Sequence, residues 1–208
     1  MGLLAPPIFI DLAEQRGLIT PIGDWVLATA CRQAAAWTRN GRAALPVSVN
    51  ISPVQMRKGR LRESVLRALN ESGLAPSLLA LEITESAVME DITSAARLLD
   101  DLHAIGVQIE IDDFGTGHSS LAYLKQLPIQ RLKVDRSFIR DIPGDPDDTA
   151  IVEAIISLAT SLKIGIIAEG VETDEQRTFL LARGCRAMQG YRFAHPESPE
   201  AFEKRLAG

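Results

Sequence analysis

The hydrophobic positions along the chain follow two alternating patterns. Short β-rich apolar runs occur in six segments, which are 47–51, 79–83, 107–112, 131–134, 164–168 and 187–191. Between these runs, apolar residues recur at three- and four-residue spacing. This spacing predicts helices at about 22–38, 60–72, 91–105, 119–125, from Asp148 onward, 174–183 and 198–206. The alternation of strand and helix predicts parallel βα units and an α/β fold.

The number of predicted strands limits which α/β architectures the chain can form. Six βα units resemble most of a TIM-type (β/α)8 barrel, which needs eight strands and typically about 250 residues. We therefore predict an incomplete barrel that lacks its first two strands. No linker or low-complexity stretch divides residues 1–208, so we expect a single, partial domain. The alternative is an open doubly wound sheet, but no glycine-rich nucleotide loop follows the first strand.

Composition and charge exclude several classes of protein. A hydrophobic content of 46% with 24% charged residues is ordinary for a globular domain. A net charge of -5 argues against non-specific binding of a nucleic-acid polymer. Cys31 and Cys185 lie far apart without a second ligand at zinc spacing, which fits a reducing cytoplasm. The first residues have neither a basic leader nor an apolar run long enough for a signal peptide or membrane span.

A polar residue stands at or near the end of each predicted strand, in an otherwise apolar context. These residues are Asn50, Glu82, Asp112 with Asp113, Lys133, Glu169 and Gln189. The carboxyl ends of the strands form the active-site face of such barrels, so these side chains are expected to converge. Oxygen ligands without thiolate or imidazole favour Mg²⁺ or Mn²⁺ over zinc or copper.

Asp112 and Asp113 directly precede a glycine-rich loop. An isolated acidic pair before glycine often only starts a turn, but the other strand-end ligands favour a metal site. A pair of metal ions about 4 Å apart supports phosphodiester hydrolysis. Lys133, the only cation of the set, could hold the attacking water or offset charge in the transition state. A structural ion pair with a neighbouring carboxylate is the alternative role for Lys133.

The chain resembles the EAL-type cyclic-di-GMP phosphodiesterases over essentially its whole length. The matching blocks are Phe9-Ile10 with Leu12-Ala13-Glu14, Val49-Asn50-Ile51-Ser52, Leu81-Glu82-Ile83-Thr84-Glu85-Ser86, Asp112 to Gly117 with Ser119-Ser120-Leu121, Leu132-Lys133-Val134-Asp135, Ala168-Glu169-Gly170-Val171-Glu172-Thr173, and Gln189-Gly190-Tyr191. The resemblance implies a TIM-type barrel, two divalent metals (Mg²⁺ or Mn²⁺) and hydrolysis of cyclic-di-GMP to linear pGpG in bacterial second-messenger signalling.

The resemblance also implies a role for each matching residue. The implied metal ligands are Asn50, Glu82, Asp112, Asp113 and Glu169. Asp112 is the bridging carboxylate, and Asp113 and Glu169 belong to the second metal. The implied catalytic positions are Lys133, Gln189 and Glu169, the first two of which position water. The implied substrate and loop positions are Glu85, Asp135, Glu172, Phe114, Gly115, Thr116 and Gly117, and Glu85 anchors the loop.

Partners and regulation follow from the same resemblance. It implies that cyclic-di-GMP is the ligand and that a homodimer forms through the loop and helix following Asp113. The loop, which runs from Phe114 to Ser120, couples the metal site to that dimer interface. Upstream sensor or cyclase domains are a further expectation for a full-length protein.

Two departures from the family pattern matter. His118 stands where the family usually has Tyr or Phe, which is a mild change because imidazole is also planar. The Glu-Ala-Leu signature does not occur in this sequence, and its glutamate is a metal ligand in the family. Met1 is therefore expected to begin downstream of the two missing strands, and we expect little activity from this chain alone. The alternative is a degenerate module that binds cyclic-di-GMP or a protein partner.

Overall fold

The secondary structure alternates along the chain as the hydrophobic pattern predicts. The computed structural model describes residues 4–39, 44–117 and 121–206. The strands are β1 (Val47–Ile51), β2 (Leu79–Thr84), β3 (Gln108–Phe114), β4 (Arg131–Val134), β5 (Gly165–Ala168) and β6 (Ala187–Met188). The helices are α1 (Pro6–Gln15), α2 (Ile19–Arg39), α3 (Pro53–Arg57), α4 (Leu61–Ser72), α5 (Glu85–Glu90), α6 (Ile92–Ile105), α7 (Leu121–Leu124), α8 (Arg136–Ile139), α9 (Pro146–Leu162), α10 (Asp174–Ala182) and α11 (Pro199–Leu206).

The chain forms two compact units, of which the first comprises Met1–Ile83 and Thr93–Gln108. In this unit β1 and β2 pair in parallel, and α2 packs against α4 and β1. The fully buried side chains of Leu27, Val65 and Leu81 belong to its core. Burial of such apolar side chains is the main force that holds helices against strands.

The second unit comprises Thr84–Ile92 and Ile109–Gly208. Here β3, β4, β5 and β6 pair in parallel in that order. Helix α9 packs against β4 and β5 and buries Val152, Ile155, Ile156 and Ala159. Short parallel strands that are followed by helices bring their carboxyl ends to one edge, where the polar residues of this unit lie.

The observed elements differ from the predicted ones in several places, and the short helices α3, α5 and α8 were not predicted. Helix α1, which begins with Pro6 and Pro7, was also not predicted. Proline is well tolerated in the first helical turn, where its missing N–H has no partner in any case. The predicted strand 187–191 ends at Met188, because Gly190 adopts a φ of 155°. A Cβ at Gly190 would lie 2.2 Å from the Val171 carbonyl oxygen.

Part of the predicted loop and of the helix at 119–125 lies outside the described residues. His118 and residues 119 and 120 belong to that part. Leu121–Leu124 is helical, as predicted.

Two further features concern the whole chain. Cys31 and Cys185 are buried free thiols, and burial raises the pKa of each to about 11. Within residues 4–39, 44–117 and 121–206, no helix combines the length and apolar character that a membrane span requires.

Candidate metal centre

Three carboxylates of the second unit form a compact cluster. Each of Asp112, Asp113 and Glu169 offers an oxygen atom, and these three oxygens lie within 4.8 Å of one another. All three residues are partly buried. Like charges held this close repel unless a cation or a proton compensates them. The all-oxygen donor set fits a hard divalent cation such as Mg²⁺ or Mn²⁺ and does not fit the preferences of zinc.

An irregularity in β3 brings Asp112 and Asp113 to the same place. The register between β3 and β4 shifts between Ile111 and Phe114, and Asp113 has a left-handed φ of 52°. Adjacent residues of a regular strand point to opposite faces, but a bulge re-aims a side chain. The strand thus continues to Phe114 instead of ending at residue 112 as predicted. The irregularity within the strand, not its end, places both carboxylates beside Glu169.

Lys133 compensates part of the negative charge. Its side chain is 3% exposed, and its Nζ lies 3.0 Å from Asp112 Oδ1 and 2.8 Å from Glu169 Oε1. The ion pair that the sequence left open is therefore present. Because its charge is directed at two carboxylates of the cluster, Lys133 fixes the positions of both.

Asp113 lies next to a further carboxylate, Asp135. Burial raises the pKa of Asp113, and the charges of Asp112 and Asp135 raise it further, while Lys133 opposes this. Burial also acts to raise the pKa of Asp135, but hydrogen bonds from Ser137 and Asp113 outweigh it, and the pKa is lowered. In the metal-free protein Asp113 is therefore expected to hold its proton to a higher pH than Asp135 does.

The glycine-rich loop after Asp113 is held by Glu85. This side chain is 1% exposed, and its Oε2 accepts a hydrogen bond from Gly115 N at 3.0 Å. A Cβ at Gly117 would lie 3.4 Å from the Glu85 carboxylate, so the loop passes close to it. Thr116 Oγ1 donates to the Asp113 carbonyl at 2.8 Å, while Phe114 is buried. Glu85 thus connects α5 to the loop that leaves the carboxylate cluster.

Tyr123 is a neighbour of Glu85 that the sequence did not suggest. Its side chain is 3% exposed, and within the described part of the chain its hydroxyl forms no hydrogen bond of good geometry. Burial raises the pKa of Tyr123, and the negative charge of Glu85 raises it further. No spacing in the sequence signals this contact, because α7 and α5 are distant along the chain.

Asn50 and Glu82 belong to the first unit and lie side by side there. They are opposite residues in the register of β1 and β2. Asn50 is exposed, whereas Glu82 is buried. Ser52 caps α3 by accepting a hydrogen bond from Val54 N, and its hydroxyl donates to Glu14 Oε1 at 2.6 Å. The loop after Asn50 is thereby fixed to α1.

The remaining site residues of the prediction lie at the ends of β5 and β6. Gln189 is exposed directly after β6, and its backbone N–H donates to the Ala168 carbonyl at 2.8 Å. Glu172 is exposed, and its backbone N–H donates to Gln176 Oε1 at 2.7 Å. Gln176 was not among the predicted residues, although the spacing from Thr173 is the signature of a capping box.

Four of the loops that follow strands are fixed in the same way, by a side chain that caps the next helix. A helix begins at a capping side chain shortly after β1, β2, β4 and β5; the caps are Ser52, Thr84, Asp135 and Thr173. Such caps satisfy the free N–H groups of the first helical turn. Each cap follows a strand-end residue of the predicted site, namely Asn50, Glu82, Lys133 and Glu169. The caps therefore set the backbone directly after these residues.

Parallel βα repeats with carboxylates near the ends of their strands are typical of barrel proteins that carry a metal site at the carboxyl face. Comparison with known proteins identifies the family. The chain belongs to the EAL domain family, whose model matches residues 1–196. Its fold is the incomplete TIM-type barrel that was predicted, with six βα units. A solved complex of the PaMucR phosphodiesterase with c-di-GMP matches with a TM-score of 0.94 and 47% identity. That match covers 97% of this chain and 81% of the solved chain.

Two relatives from Pseudomonas aeruginosa are similar in sequence. The bifunctional diguanylate cyclase/cyclic di-GMP phosphodiesterase MucR is 48% identical over 206 residues, which are 99% of this chain. The cyclic di-GMP phosphodiesterase NbdA is 46% identical over 205 residues, also 99% of this chain. The chain spans only 30% of MucR and 26% of NbdA.

Proposed function

We propose that this EAL domain carries the catalytic site of a cyclic-di-GMP phosphodiesterase, which hydrolyses cyclic-di-GMP to linear pGpG. The observation that supports this most is the cluster of Asp112, Asp113 and Glu169 around the buried Lys133. A phosphodiester is an anion, so a purely acidic site would repel it. Bound cations reverse that charge, and the relatives with this domain are named for cyclic-di-GMP hydrolysis.

Asp112, Asp113 and Glu169 would hold divalent cations, and Asn50 and Glu82 are proposed as further ligands. Mg²⁺ or Mn²⁺ suits these oxygen donors best, and the family resemblance implies two ions, both of which Asp112 would help to hold. When bound, such cations polarise a phosphoryl oxygen and lower the pKa of water.

The chain's own residues would orient the reactants. The Lys133 ammonium, fixed by Asp112 and Glu169, is proposed to donate a hydrogen bond to the attacking water and to offset negative charge that develops on the phosphate. Gln189 is proposed to hold the same water through its amide. Glu85 would keep the loop from Phe114 to Gly117 in place beside Asp113. Asp135 and Glu172 would stabilise the positions of the metal ligands without binding the metals themselves.

The first experiment tests metal binding. Wild-type protein is titrated with Mn²⁺ while the electron paramagnetic resonance signal of free Mn²⁺ is followed. Asp112→Asn is expected to weaken binding at least about tenfold. Asp174→Asn, which changes an exposed carboxylate paired with Arg192, is the matched control and is expected to bind as wild type does. A wild-type protein that does not bind Mn²⁺ would contradict the proposal.

The second experiment tests turnover. Protein is incubated with cyclic-di-GMP and Mn²⁺, and pGpG is followed by chromatography. Because the Glu-Ala-Leu glutamate is absent from the sequence, we expect weak turnover by this chain alone. Addition of a second chain that carries the Glu-Ala-Leu strand is expected to raise it. Turnover that stays the same in Asp112→Asn would exclude this site as its source.

One observation favours a second candidate function. The given sequence does not include the Glu-Ala-Leu glutamate, so this chain taken alone is a candidate receptor that binds cyclic-di-GMP without hydrolysing it. Calorimetric binding of cyclic-di-GMP without pGpG formation, even after addition of the second chain, would favour the receptor. We also propose a cytoplasmic protein with upstream sensor or cyclase domains, and a homodimer through the loop after Asp113 and α7.

A further inference from the structure

Gln176 is a buried amide whose oxygen and nitrogen both form hydrogen bonds. The residue lies on α10 and is 4% exposed. Its Oε1 accepts hydrogen bonds from the backbone N–H groups of Glu172 at 2.7 Å and Thr173 at 3.0 Å. Its Nε2 donates to the Arg140 carbonyl at 3.0 Å. Because both the oxygen and the nitrogen of this buried amide form hydrogen bonds, moving its neighbours would leave a buried polar atom without a partner. The amide therefore fixes the positions of the backbone groups that it contacts.

These bonds connect two strand-end loops of the second unit. Glu172 and Thr173 belong to the segment that starts at Glu169, after β5. Arg140 ends α8, the helix that begins just after Lys133 and its cap Asp135. Gln176 therefore connects the loop after Glu169, which is a proposed metal ligand, to α8. Helix α8 follows Lys133, whose ammonium contacts Glu169.

A second contact joins the same two segments at the other end of α8. Gly170, next to Glu169, has a left-handed φ of 69°. A Cβ at Gly170 would lie 2.6 Å from Arg136 Cβ, so the backbone after Glu169 packs directly on the first residue of α8. The loop after β5 is thus fixed to α8 at Arg136 by close packing and at Arg140 by Gln176.

Helix capping alone does not require this arrangement. The chain contains a second capping box of the same kind, in which Gln55 Oε1 accepts from Ser52 N at 3.1 Å. The Gln55 amide lies against Gly23 of α2, where a Cβ would be 2.1 Å from its nitrogen. Gln55 thus caps its helix and packs on a neighbouring helix, whereas Gln176 caps its helix and also binds the end of α8.

We propose that Gln176 is a positioning residue of the metal centre: by joining the loop after β5 to α8, it sets Glu169 against Lys133. This inference rests on the proposed function of the site. The residue acts through the backbone and does not contact the ligands itself.

The test compares two variants of Gln176 by Mn²⁺ titration, at a temperature where circular dichroism shows every variant folded. Gln176→Leu removes both ends of the bridge and is expected to weaken Mn²⁺ binding about tenfold or more. Gln176→Glu keeps an oxygen for Glu172 and Thr173, but its ionised carboxylate, which the titration at pH 8 favours, cannot donate to the Arg140 carbonyl. Its affinity is expected to fall between those of wild type and Gln176→Leu.

Leu180→Ala is the matched control, because Leu180 is fully buried on the same helix and takes no part in the bridge. It is expected to lower the unfolding temperature and leave Mn²⁺ affinity unchanged. A loss of affinity in Leu180→Ala as large as in Gln176→Leu would overturn a positioning role. Wild-type affinity in Gln176→Glu would show that capping suffices and would overturn the bridge.

Glu169→Gln separates this proposal from the proposed function. If Glu169→Gln weakens Mn²⁺ binding while Gln176→Leu does not, the positioning role is wrong and the metal centre stands. If the wild-type protein does not bind Mn²⁺, the metal centre and the positioning role both fall.

Discussion

The loops after β1 and β3 both follow residues that we propose as metal ligands, yet they are fixed differently. After β1, Ser52 and Gln55 form a capping box within one helical turn, and the Ser52 hydroxyl also donates to Glu14 of α1. After β3, no helix cap follows Asp113 within the described residues, and Gly115 instead bonds to Glu85. We therefore expect the loop after β1 to depend mainly on its own capping box, whereas the loop after β3 depends on the distant anchor Glu85 on α5.

The largest effect is expected from Glu85→Ala, which removes the distant anchor. The Gly115 N–H then loses its acceptor in a partly buried setting, and the free energy of unfolding should fall by about 2–3 kcal/mol. Urea unfolding measures this change. Glu85→Gln keeps an acceptor oxygen of the same shape and should cost clearly less. Equal losses in the two variants would show that the charge of Glu85, and not its hydrogen bond, stabilises the loop.

A smaller loss is expected from Gly115→Ala, which changes the loop itself. Gly115 has a φ of 99°, and a Cβ there would lie 3.1 Å from the Phe138 ring. A side chain in this backbone region costs about 1–2 kcal/mol. Gly59→Ala is the matched control, because Gly59 has a φ of 68° and no atom within 4 Å of its added Cβ. Urea unfolding should show a larger loss for Gly115→Ala, and equal losses would rule out the contact with Phe138.

The local motif after β1 should be less sensitive. Ser52→Ala removes the cap of α3 and the partner of Glu14, and we expect a loss of about 1 kcal/mol in urea unfolding. Ser52→Thr retains the hydroxyl and is expected to restore most of this stability. A loss in Ser52→Ala as large as that in Glu85→Ala would remove the distinction between the two loops.

The smallest effect is expected in the pH dependence of the unfolding free energy, through Asp113, which lies just before the loop after β3. The folded state raises the pKa of Asp113 through burial and the charges of Asp112 and Asp135, so it binds a proton more tightly than the unfolded chain. This contribution to stability is complete below the ordinary pKa of aspartate and is lost as the pH rises through the raised value. Unfolding of metal-free protein in EDTA from pH 3 to 7 measures it. Asp113→Asn, which also tolerates a left-handed backbone, should lack this component; an unchanged pH profile would contradict the assignment.

The two loops also show which features a sequence can predict. Strand β1 and the box from Ser52 to Gln55 depend on neighbouring residues, and β1 was predicted with its observed bounds. The contact of Glu85 with Gly115 links distant positions, and only the family resemblance suggested it. Tyr123 was not predicted at all, because burial beside Glu85 depends on packing that periodicity does not encode.

The carboxylate cluster was predicted, but the backbone feature that brings Asp112 and Asp113 together differs from the predicted one. Asp112 and Asp113 were expected to meet because the strand ended there, whereas β3 continues to Phe114 and a register shift brings them together. A left-handed residue within a strand has no clear signal in the sequence, since Asp113 is not a glycine. The residue types were sufficient to predict a cluster of carboxylates, but the backbone that arranges them was not predictable.

The two native thiols offer a practical route to observing the loop after β3. Cys31 and Cys185 have no exposed surface, and with pKa values of about 11 they stay protonated at neutral pH. Maleimide reagents attack accessible thiolates, so the native protein should be nearly inert to them. A cysteine introduced at the exposed Thr116 would then accept a fluorophore selectively, without removal of either native cysteine. Its emission would report on loop motion as Mn²⁺ is added.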